Sequence, residues 1–427
     1  MNLLFFGGIH PPGYKDLSSP AESARQIHPQ RVTIPLLQHV GQPCQALVKP
    51  GDRVRRGQKI GDGTGLCVPV HASVSGVVES VESCPHPVLG QAEAIVIRSD
   101  PPAPASTVRP QAAGKNQTAE QLLELIREAG IVGQGGAAFP TAVKLRSAMG
   151  KADTLIANGC ECEPYITADC HLLTTQPRRV LQGLTIAARI LQPRRIFLAV
   201  ERGGVPEALR SCLPEFPDVH FAVLPRRYPQ GSEKQLIQAL TGRQTPPGAL
   251  PADVGCAVLN VSTCAAVSQA VTTGAPLTER IVTVSGQAVA QPGNFLVPLG
   301  TPILDVIQAA GGLTDANARI ISGGPMTGTA VSPQTPVIKG TNGITCLPPQ
   351  PDVPGTACIS CGKCVEVCPM HLLPLYLYLC RNEHRAEEEL RLDDCIGCGC
   401  CSYICPAGLP LVQQFRHMKQ LRKERGR

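Results

Sequence analysis

Apolar and polar positions follow several different rhythms along this chain. Between Arg31 and Arg98 the apolar positions come in short runs: Arg31-Val-Thr-Ile-Pro35, Ala46-Leu-Val48, Val68-Pro-Val70, Gly76-Val-Val78 and Ala94-Ile-Val-Ile97. Gly, Pro and Asp bound these runs, which predicts a small barrel or sandwich of short strands. Thr118-x-x-Gln121 then reads as a capping box, and Leu122, Leu123, Ile126 and Ala129 form a helical stripe that stops at Gly130. From Asp153 strands are expected at 154–157, 196–200, 219–224 and 256–259, separated by helices near 177–191, 205–213 and 232–241. Such alternation predicts a mainly parallel sheet covered by helices. Residues 280–313 change again, with Ile281-Val-Thr-Val-Ser285 and Phe295-Leu-Val297 flanking a turn at Gln291-Pro-Gly-Asn294, then a helix from 301 to 310 closed by Gly311-Gly312. A hairpin followed by a helix suggests a compact β-grasp-like module. Finally, Leu372, Leu373, Leu375, Tyr376 and Leu379 predict a mostly helical spacer over 371–392, with Glu387 to Glu389 exposed.

A length of 427 residues exceeds one core and implies two to four domains. The rhythms divide it into 1–100, 115–275, 276–345 and 350–427, with proline-rich Pro101 to Pro110 as a linker. Hydrophobic residues at 43% and charged ones at 17% fit a folded protein, and 42 glycines with 41 prolines imply many turns. The formal charge of +6 is small for this length, and six basic residues crowd the end from Arg416 to Arg427. The body is therefore near neutral, and no nucleic-acid partner is expected. The tail reads either as a solvated helix end or as a contact for anionic lipid or an acidic partner. Met1 to Ile9 contains Leu3-Leu4-Phe5-Phe6 but no basic start or long apolar core, so it is not expected to be a signal peptide. No stretch reaches the roughly 18 consecutive apolar residues of a spanning helix, so any membrane association is expected to be peripheral.

Eight of the 20 cysteines form a repeat, Cys358-x2-Cys361-x2-Cys364-x3-Cys368-Pro369 and Cys395-x2-Cys398-x2-Cys401-x3-Cys405-Pro406. Thiolates are soft ligands for iron, and three of them two residues apart can wrap a [4Fe-4S] cubane in one tight loop. The wiring of two-cluster ferredoxins is crossed. That assigns Cys358, Cys361, Cys364 and Cys405 to one cluster, and Cys395, Cys398, Cys401 and Cys368 to the other. A zinc knuckle or a disulfide framework is the competing reading, but zinc needs four ligands rather than two four-cysteine runs each closed by Cys-Pro. The other cysteines show no framework spacing, which predicts a reducing, cytoplasmic compartment. Cys400 reads as a bystander thiol.

The segment Gly130-Ile-Val-Gly-Gln-Gly-Gly-Ala-Ala-Phe-Pro-Thr141 contains Gly133-x-Gly135-x-x-Ala138, formally a dinucleotide fingerprint. A helix rather than a strand precedes it, so it is not an ordinary Rossmann first turn. Its glycines would let backbone N–H groups approach phosphate, with a helix starting near Thr141 behind them and Lys144 one turn in. Taken alone, Lys144 reads first as a solvated helix lysine. After the first strand, Asn158-Gly-Cys-Glu-Cys-Glu-Pro164 lies where open α/β sheets bind ligands. Glu161 and Glu163 suit ribose or flavin hydroxyls, or are ordinary loop carboxylates. Cys160 and Cys162 read as buried free thiols. Val48 to Gln58 and Ala72-Ser-Val-Ser-Gly-Val-Val78 resemble the half-barrels of biotinyl and lipoyl carriers, without the modified lysine. The module is thus expected to pack against a neighbour.

With these features placed, the chain resembles the C subunits of the Rnf (Rsx) electron-transport complexes over nearly its whole length. The resemblance rests on Gly7-Gly-Ile-His-Pro11 with the half-barrel, Gly130 to Lys144, Asn158 to Pro164, Tyr228-Pro-Gln-Gly-Ser-Glu-Lys-Gln235, Gly323-Gly-Pro-Met326 and the cysteine repeat, in that order. The central domain is also similar to the flavin-binding subunit of complex I, which implies a Rossmann-like domain for FMN and NADH. Carried over, the cofactor residues are Gly133, Gly135, Gly136, Lys144, Asn158, Glu161, Glu163, Asn260 and Thr263. Two departures bear on NADH affinity. Ala138 stands where the family has glycine, and Cys160-Glu161-Cys162 differs from complex I's acidic run. The resemblance implies hydride exchange between NADH and FMN, then single electrons through two [4Fe-4S] clusters to a ferredoxin or ferredoxin-like subunit. It implies a peripheral position among other subunits on the cytoplasmic face of a bacterial membrane. A soluble cobalamin-reducing flavin and iron–sulfur enzyme shares these modules, but the half-barrel comes first here. A relay scaffold without nicotinamide chemistry is the third reading, and flavin content distinguishes it.

Overall fold

The computed structural model of the chain describes residues 5–18, 23–101, 117–203, 205–350, 356–381 and 388–424. The expected linker from Pro101 to Pro110 lies outside them after its first residue, as do the start of the apolar run at Met1 and the last residues of the basic tail.

The first strands are β1 (Arg25–Gln26), β2 (Arg31–Pro35), β3 (Gln45–Ala46), β4 (Arg53–Val54), β5 (Lys59–Asp62), β6 (Val70–His71), β7 (Gly76–His86) and β8 (Gly90–Ser99). They form a four-stranded sheet in the order β2-β8-β7-β4 and a three-stranded sheet β3-β5-β6. The two close on Val32, Ile34, Leu36, Ile60, Val70, Val78, Ile95 and Ile97, inward residues of alternating strands. The turn where a carrier would bear its lysine is docked instead, since the buried Ser73 hydroxyl donates to the Leu299 carbonyl.

The next described element is α1 (Ala119–Glu128), which opens on the expected capping box with Thr118 and Gln121 each bonding the other's backbone. There follow α2 (Thr141–Ala148), β9 (Thr154–Gly159), α3 (Ala168–Thr175), α4 (Pro177–Leu191), β10 (Arg195–Glu201), α5 (Glu207–Cys212), β11 (Val219–Leu224), α6 (Glu233–Thr241), β12 (Cys256–Asn260) and α7 (Val261–Thr273). The sheet order is β11-β10-β9-β12, every pair parallel. Both faces are covered, which is why its strands are nearly continuously apolar. Leu155 and Ala157 of β9 face the core under α4 and α7, and Ile156 faces Leu236, Ile237 and Leu240 of α6. Helices α4 and α7 approach so closely that a Cβ on Gly183 would lie 1.7 Å from the Cys264 carbonyl oxygen.

The third module contains β13 (Glu279–Ser285), β14 (Gly293–Pro298), α8 (Ile303–Ala309), β15 (Arg319–Ser322), β16 (Thr329–Ala330) and β17 (Gly343–Leu347). Its sheet runs β1-β14-β13-β17-β15-β16, so the chain's first strand is an edge strand here, parallel to β14. Ile303, Val306 and Ile307 of α8 pack on it. The last module is built from α9 (Lys363–Glu366), α10 (Pro374–Leu379), α11 (Cys400–Ile404) and α12 (Leu411–Glu424) around Leu377, Leu392, Leu411, Phe415 and Met418. The expected helical spacer is shorter than its apolar pattern: α10 starts on Pro374 and ends at Leu379, part of the remainder lies outside the described residues, and Arg391 takes a left-handed φ of 59° before a 3-10 turn.

Lys339 joins three of these modules. Its ammonium is buried and donates to the Pro69 and Gly130 carbonyls, each at 2.7 Å, while its own carbonyl accepts from Arg280. Burial pushes the Lys339 pKa from 10.5 down to about 8. The unfolded chain therefore binds this proton more tightly, so the cost of burying the charge is full below pH 8 and is relieved as pH rises towards 10.5. Compared with Lys339→Met in matched denaturant titrations, the wild type should gain stability over that interval by up to about 3 kcal/mol. A constant difference between the two proteins would contradict a charged, buried Lys339.

Candidate functional site

The glycine segment forms a closed loop after α1. Gly133 N donates to Phe139 O at 2.8 Å and Ala138 N returns to Gly133 O at 3.1 Å. Ala138 holds a φ of 50°, a left-handed conformation that a glycine adopts without cost; its Cβ packs instead against Val68 and Val132. Gln134 ties the loop to the start of α7, its N–H donating to Thr263 Oγ1 at 2.9 Å and its Nε2 to Ser262 O at 3.1 Å. Asn260 caps α7 by accepting from Ser262 N at 2.8 Å, and its amide is oriented by Asp169 Oδ2 at 2.6 Å.

These elements border a cavity of about 690 Å³, within the range of cofactor sites. Gly133, Gly135, Gly136, Thr141 and Lys144 line one side, and Asn158, Asn260 and Thr263 line the end of the sheet. The N-termini of α2 and α7 both begin at this wall, which places partial positive charge there. The Thr141 hydroxyl is buried and has no hydrogen-bond partner among the described residues. An unsatisfied hydroxyl between a glycine loop and two helix starts fits the phosphate of a flavin mononucleotide. Lys144 donates to Glu233 Oε1 at 2.6 Å and to Val258 O at 3.1 Å, so its charge is already paired.

Seven of the nine residues expected to hold the cofactor thus come together: Gly133, Gly135, Gly136, Lys144, Asn158, Asn260 and Thr263. Glu161 and Glu163 are not on the lining. Glu161 accepts from Asp169 N at 2.9 Å and Cys170 N at 3.2 Å, and burial raises its pKa. Glu163 accepts from Met326 N at 3.3 Å and Thr327 N at 2.8 Å, which fixes the Gly323-Gly-Pro-Met326 turn. A Cβ on Gly324 would lie 2.4 Å from that carboxylate. Thr141, Glu233, Arg416 and Lys419 also line the cavity and were not anticipated. Thr141, the first helical residue after Phe-Pro, carried a readable signal; the others required knowing which helix faces meet.

The opposite wall comes from the cysteine-rich module, through Cys395, Ile396, Gly397, Val412 and Phe415. In that module Cys358, Cys361, Cys364 and Cys405 line one small cavity, and Cys368, Cys395, Cys398 and Cys401 line a second together with Cys400. Each set fits a cubane held by thiols from both runs, the crossed arrangement. N–H groups point at the sulfurs: Ser360 at Cys358, Leu372 at Cys368 and Gly397 at Cys395, each at 3.4 Å. Such bonds stabilise added negative charge on a cluster. Cys400 is fully buried against Ile9 and Tyr228, and the Tyr228 hydroxyl donates to Cys398 O at 2.7 Å. Cys395 lines both the second cluster cavity and the large one.

Four family models match the chain: the RnfC barrel sandwich hybrid domain over residues 3–101, the Nuo51 FMN-binding domain over 126–269, the SLBB domain over 281–330 and the 4Fe-4S dicluster domain over 357–409. The C subunit of the Na(+)-translocating ferredoxin:NAD(+) oxidoreductase complex of Acetobacterium woodii is 42% identical over 379 residues, 87% of this chain and 86% of that protein. The C subunit of the proton-translocating ferredoxin:NAD(+) oxidoreductase complex of Clostridium ljungdahlii is 42% identical over 426 residues, 97% of this chain and 93% of that protein. Among solved structures, an NAD+-reducing [NiFe]-hydrogenase in the H2-reduced state matches 64% of this chain and 52% of its own at 23% identity, with a TM-score of 0.47.

The cavities make the crossed wiring testable. In dithionite-reduced protein, Cys368→Ala should abolish the same EPR signal as Cys395→Ala, and Cys405→Ala the same signal as Cys358→Ala. Loss of the Cys358 signal in Cys368→Ala would mean that each run serves its own cluster.

Proposed function

Because the chain belongs to the family of C subunits of Rnf-type ferredoxin:NAD(+) oxidoreductase complexes, we propose that it is the subunit through which electrons pass between NADH and the remainder of such a complex. It is a subunit of an oxidoreductase translocase with FMN and [4Fe-4S] clusters as cofactors and NADH as the complex's substrate. The observation that carries this reading is the shared wall: Cys395 borders both the large cavity and the second cysteine-lined cavity.

FMN takes up two electrons and releases them singly, which matches one-electron clusters to a two-electron nucleotide. The chain's own residues bind and orient it. In our reading Gly133, Gly135 and Gly136 leave the backbone bare for the phosphate, and Thr141 and the starts of α2 and α7 supply donors and positive potential. Lys144, Asn158, Asn260 and Thr263 fix the flavin's orientation. Glu161 and Glu163 act behind the site, by holding α3 and the Met326 turn.

We assign the barrel-sandwich domain to residues 1–100, a Rossmann-like FMN and NADH domain to 115–275, a β-grasp module to 276–345 and a helical two-cluster ferredoxin-like domain to 350–427. The parallel order β11-β10-β9-β12 supports the second, and the packing of α8 on its sheet supports the third. The partners of this reading are the other subunits of the complex, NAD(H), and ferredoxin or a ferredoxin-like subunit. No helix among the described residues is long and apolar enough to cross a membrane, which supports a peripheral position. The cytoplasmic face follows from the reducing conditions that its free thiols and nucleotide substrate call for.

Anaerobic addition of NADH to the reconstituted protein should bleach the flavin and bring up the cluster EPR signals. If dithionite reduces the clusters while NADH leaves bound flavin oxidised, the nicotinamide role is wrong. Thr141→Val keeps the side chain's shape and removes the orphan hydroxyl. It should weaken FMN binding about tenfold without lowering the apoprotein's melting temperature; unchanged flavin affinity would remove Thr141 from the site.

A further inference from the structure

Asp169, the second residue of α3, is buried beside Asn260 and lies off the lining of the large cavity. Both of its oxygens accept from neutral donors. Oδ2 takes an N–H of the Asn260 amide and Oδ1 takes the Ser262 hydroxyl, each at 2.6 Å. Asn260 accepts in turn from Ser262 N through its Oδ1 at 2.8 Å. The three residues close a ring of hydrogen bonds, of which only Asn260 reaches the cavity.

Such a ring admits one orientation of the amide. Turned over, Asn260 would set its carbonyl oxygen against Asp169 Oδ2 and its N–H groups against Ser262 N, so acceptor would face acceptor and donor would face donor. As it stands, one amide N–H and one lone pair of Oδ1 remain for a ligand. The ring is also tied at both ends. Glu161 accepts from Asp169 N at 2.9 Å and Cys170 N at 3.2 Å, so the acidic loop fixes where Asp169 stands. Ser262 O accepts from Gln134 Nε2 at 3.1 Å, which sets the start of α7 against the glycine loop. Packing α3 against α7 needs no carboxylate, and burying one costs desolvation energy. What the carboxylate adds is a fixed direction for the amide.

We propose that Asp169 is a positioning residue for the flavin: it holds the Asn260 amide so that the remaining N–H is presented to FMN, without touching the cofactor itself. The inference rests on the reading of the cavity as the FMN site. It also gives Glu161 a part in that site at one remove, through the start of α3 and Asp169, although the Glu161 carboxylate is not on the lining.

The test measures FMN affinity in the full, cluster-loaded chain stripped of flavin, by the quenching of flavin fluorescence as FMN is titrated. Asp169→Ala frees the amide and should weaken FMN binding about tenfold. In Asp169→Asn the new side-chain carbonyl can accept from Asn260 while its amide donates to the Ser262 oxygen, so affinity should stay within about twofold of wild type. Asn260→Ala should lose at least as much as Asp169→Ala, and combining the two should cost nothing further, because they act as one. Asp169→Leu, of nearly the same shape as Asp, takes its place in the cycle should Asp169→Ala not fold. Wild-type affinity without the carboxylate overturns the proposal, as does an equal loss in Asp169→Asn, which would assign the effect to charge. Additive losses in the double variant overturn it too, since Asp169 would then act through the fold and not through Asn260. If Asn260→Ala binds FMN as tightly as wild type, the amide is no flavin ligand, and the reading of that wall fails before the positioning role does.

Discussion

The loop from Gly133 to Phe139 has no helix or strand of its own, and three neighbours outside it impose its shape. Buried Arg280 donates through Nη2 to Gln134 O at 3.2 Å and through Nη1 to the carbonyl of Lys339. Val40 N donates to Ala138 O at 3.1 Å from the barrel side, and Thr263 accepts from Gln134 N across the cavity floor. A loop bare enough for phosphate to approach its backbone has few side chains with which to hold itself. Its order must come from neighbours, and here one of them is the buried cation Arg280, itself held by the carbonyl of buried Lys339. Burial lowers the pKa of Arg280 to about 10 and that of Lys339 to about 8. The arrangement thus costs desolvation energy and is stabilised only while carbonyls receive the donors.

That constraint gives the first and third modules a physical role. The barrel's hairpin at Ala72-Ser73-Val74 has no lysine, and it is docked through Ser73 on the chain just after β14. Strand β1 leaves the barrel region to extend the sheet of the third module. The two modules together form a bracket whose end, at Val40, Pro69, Arg280 and Lys339, meets the glycine loop and the end of α1. Loss of the barrel would leave Lys339 without the Pro69 carbonyl and Ala138 without its apolar neighbour Val68.

The sequence was most legible where interactions are local or where a pattern repeats. The helix expected at 177–191 coincides with α4, because Pro177 can only begin a helix and apolar residues recur at helical spacing to Leu191. The cysteine repeat and the Thr118 capping box depend on a few adjacent residues, so they too were readable. Long-range features were not. Strand β7 runs eleven residues, to His86, but only Gly76-Val-Val78 read as a strand, since Glu79 and Glu82 lie on its exposed face and a bulge falls between Val78 and Ser80. Glu161 and Glu163 looked like ligands because they sit at a strand's carboxyl end. Backbone N–H groups of α3 and of the Met326 turn had already taken them. Arg416 looked like tail because amphipathic spacing gives a helix its faces and not its neighbours.

The cavity is incomplete without the cysteine-rich module. Its cluster loop, helix α12 and Phe415 form one wall, and the Tyr228 hydroxyl anchors that loop to the central domain through Cys398 O. Tyr228 lies three residues before Gly231, which lines the cavity, and a Cβ on Gly231 would fall 2.1 Å from the Cys160 carbonyl oxygen. The same short segment therefore packs tightly against the first strand's loop and fixes where the cluster loop sits. Electron transfer requires the donor and acceptor sites to keep one separation, and binding requires the cavity walls to keep another. The segment from Tyr228 to Gly231 touches both, so a chain that closes its large cavity has in the same act placed the second cysteine-lined cavity beside it.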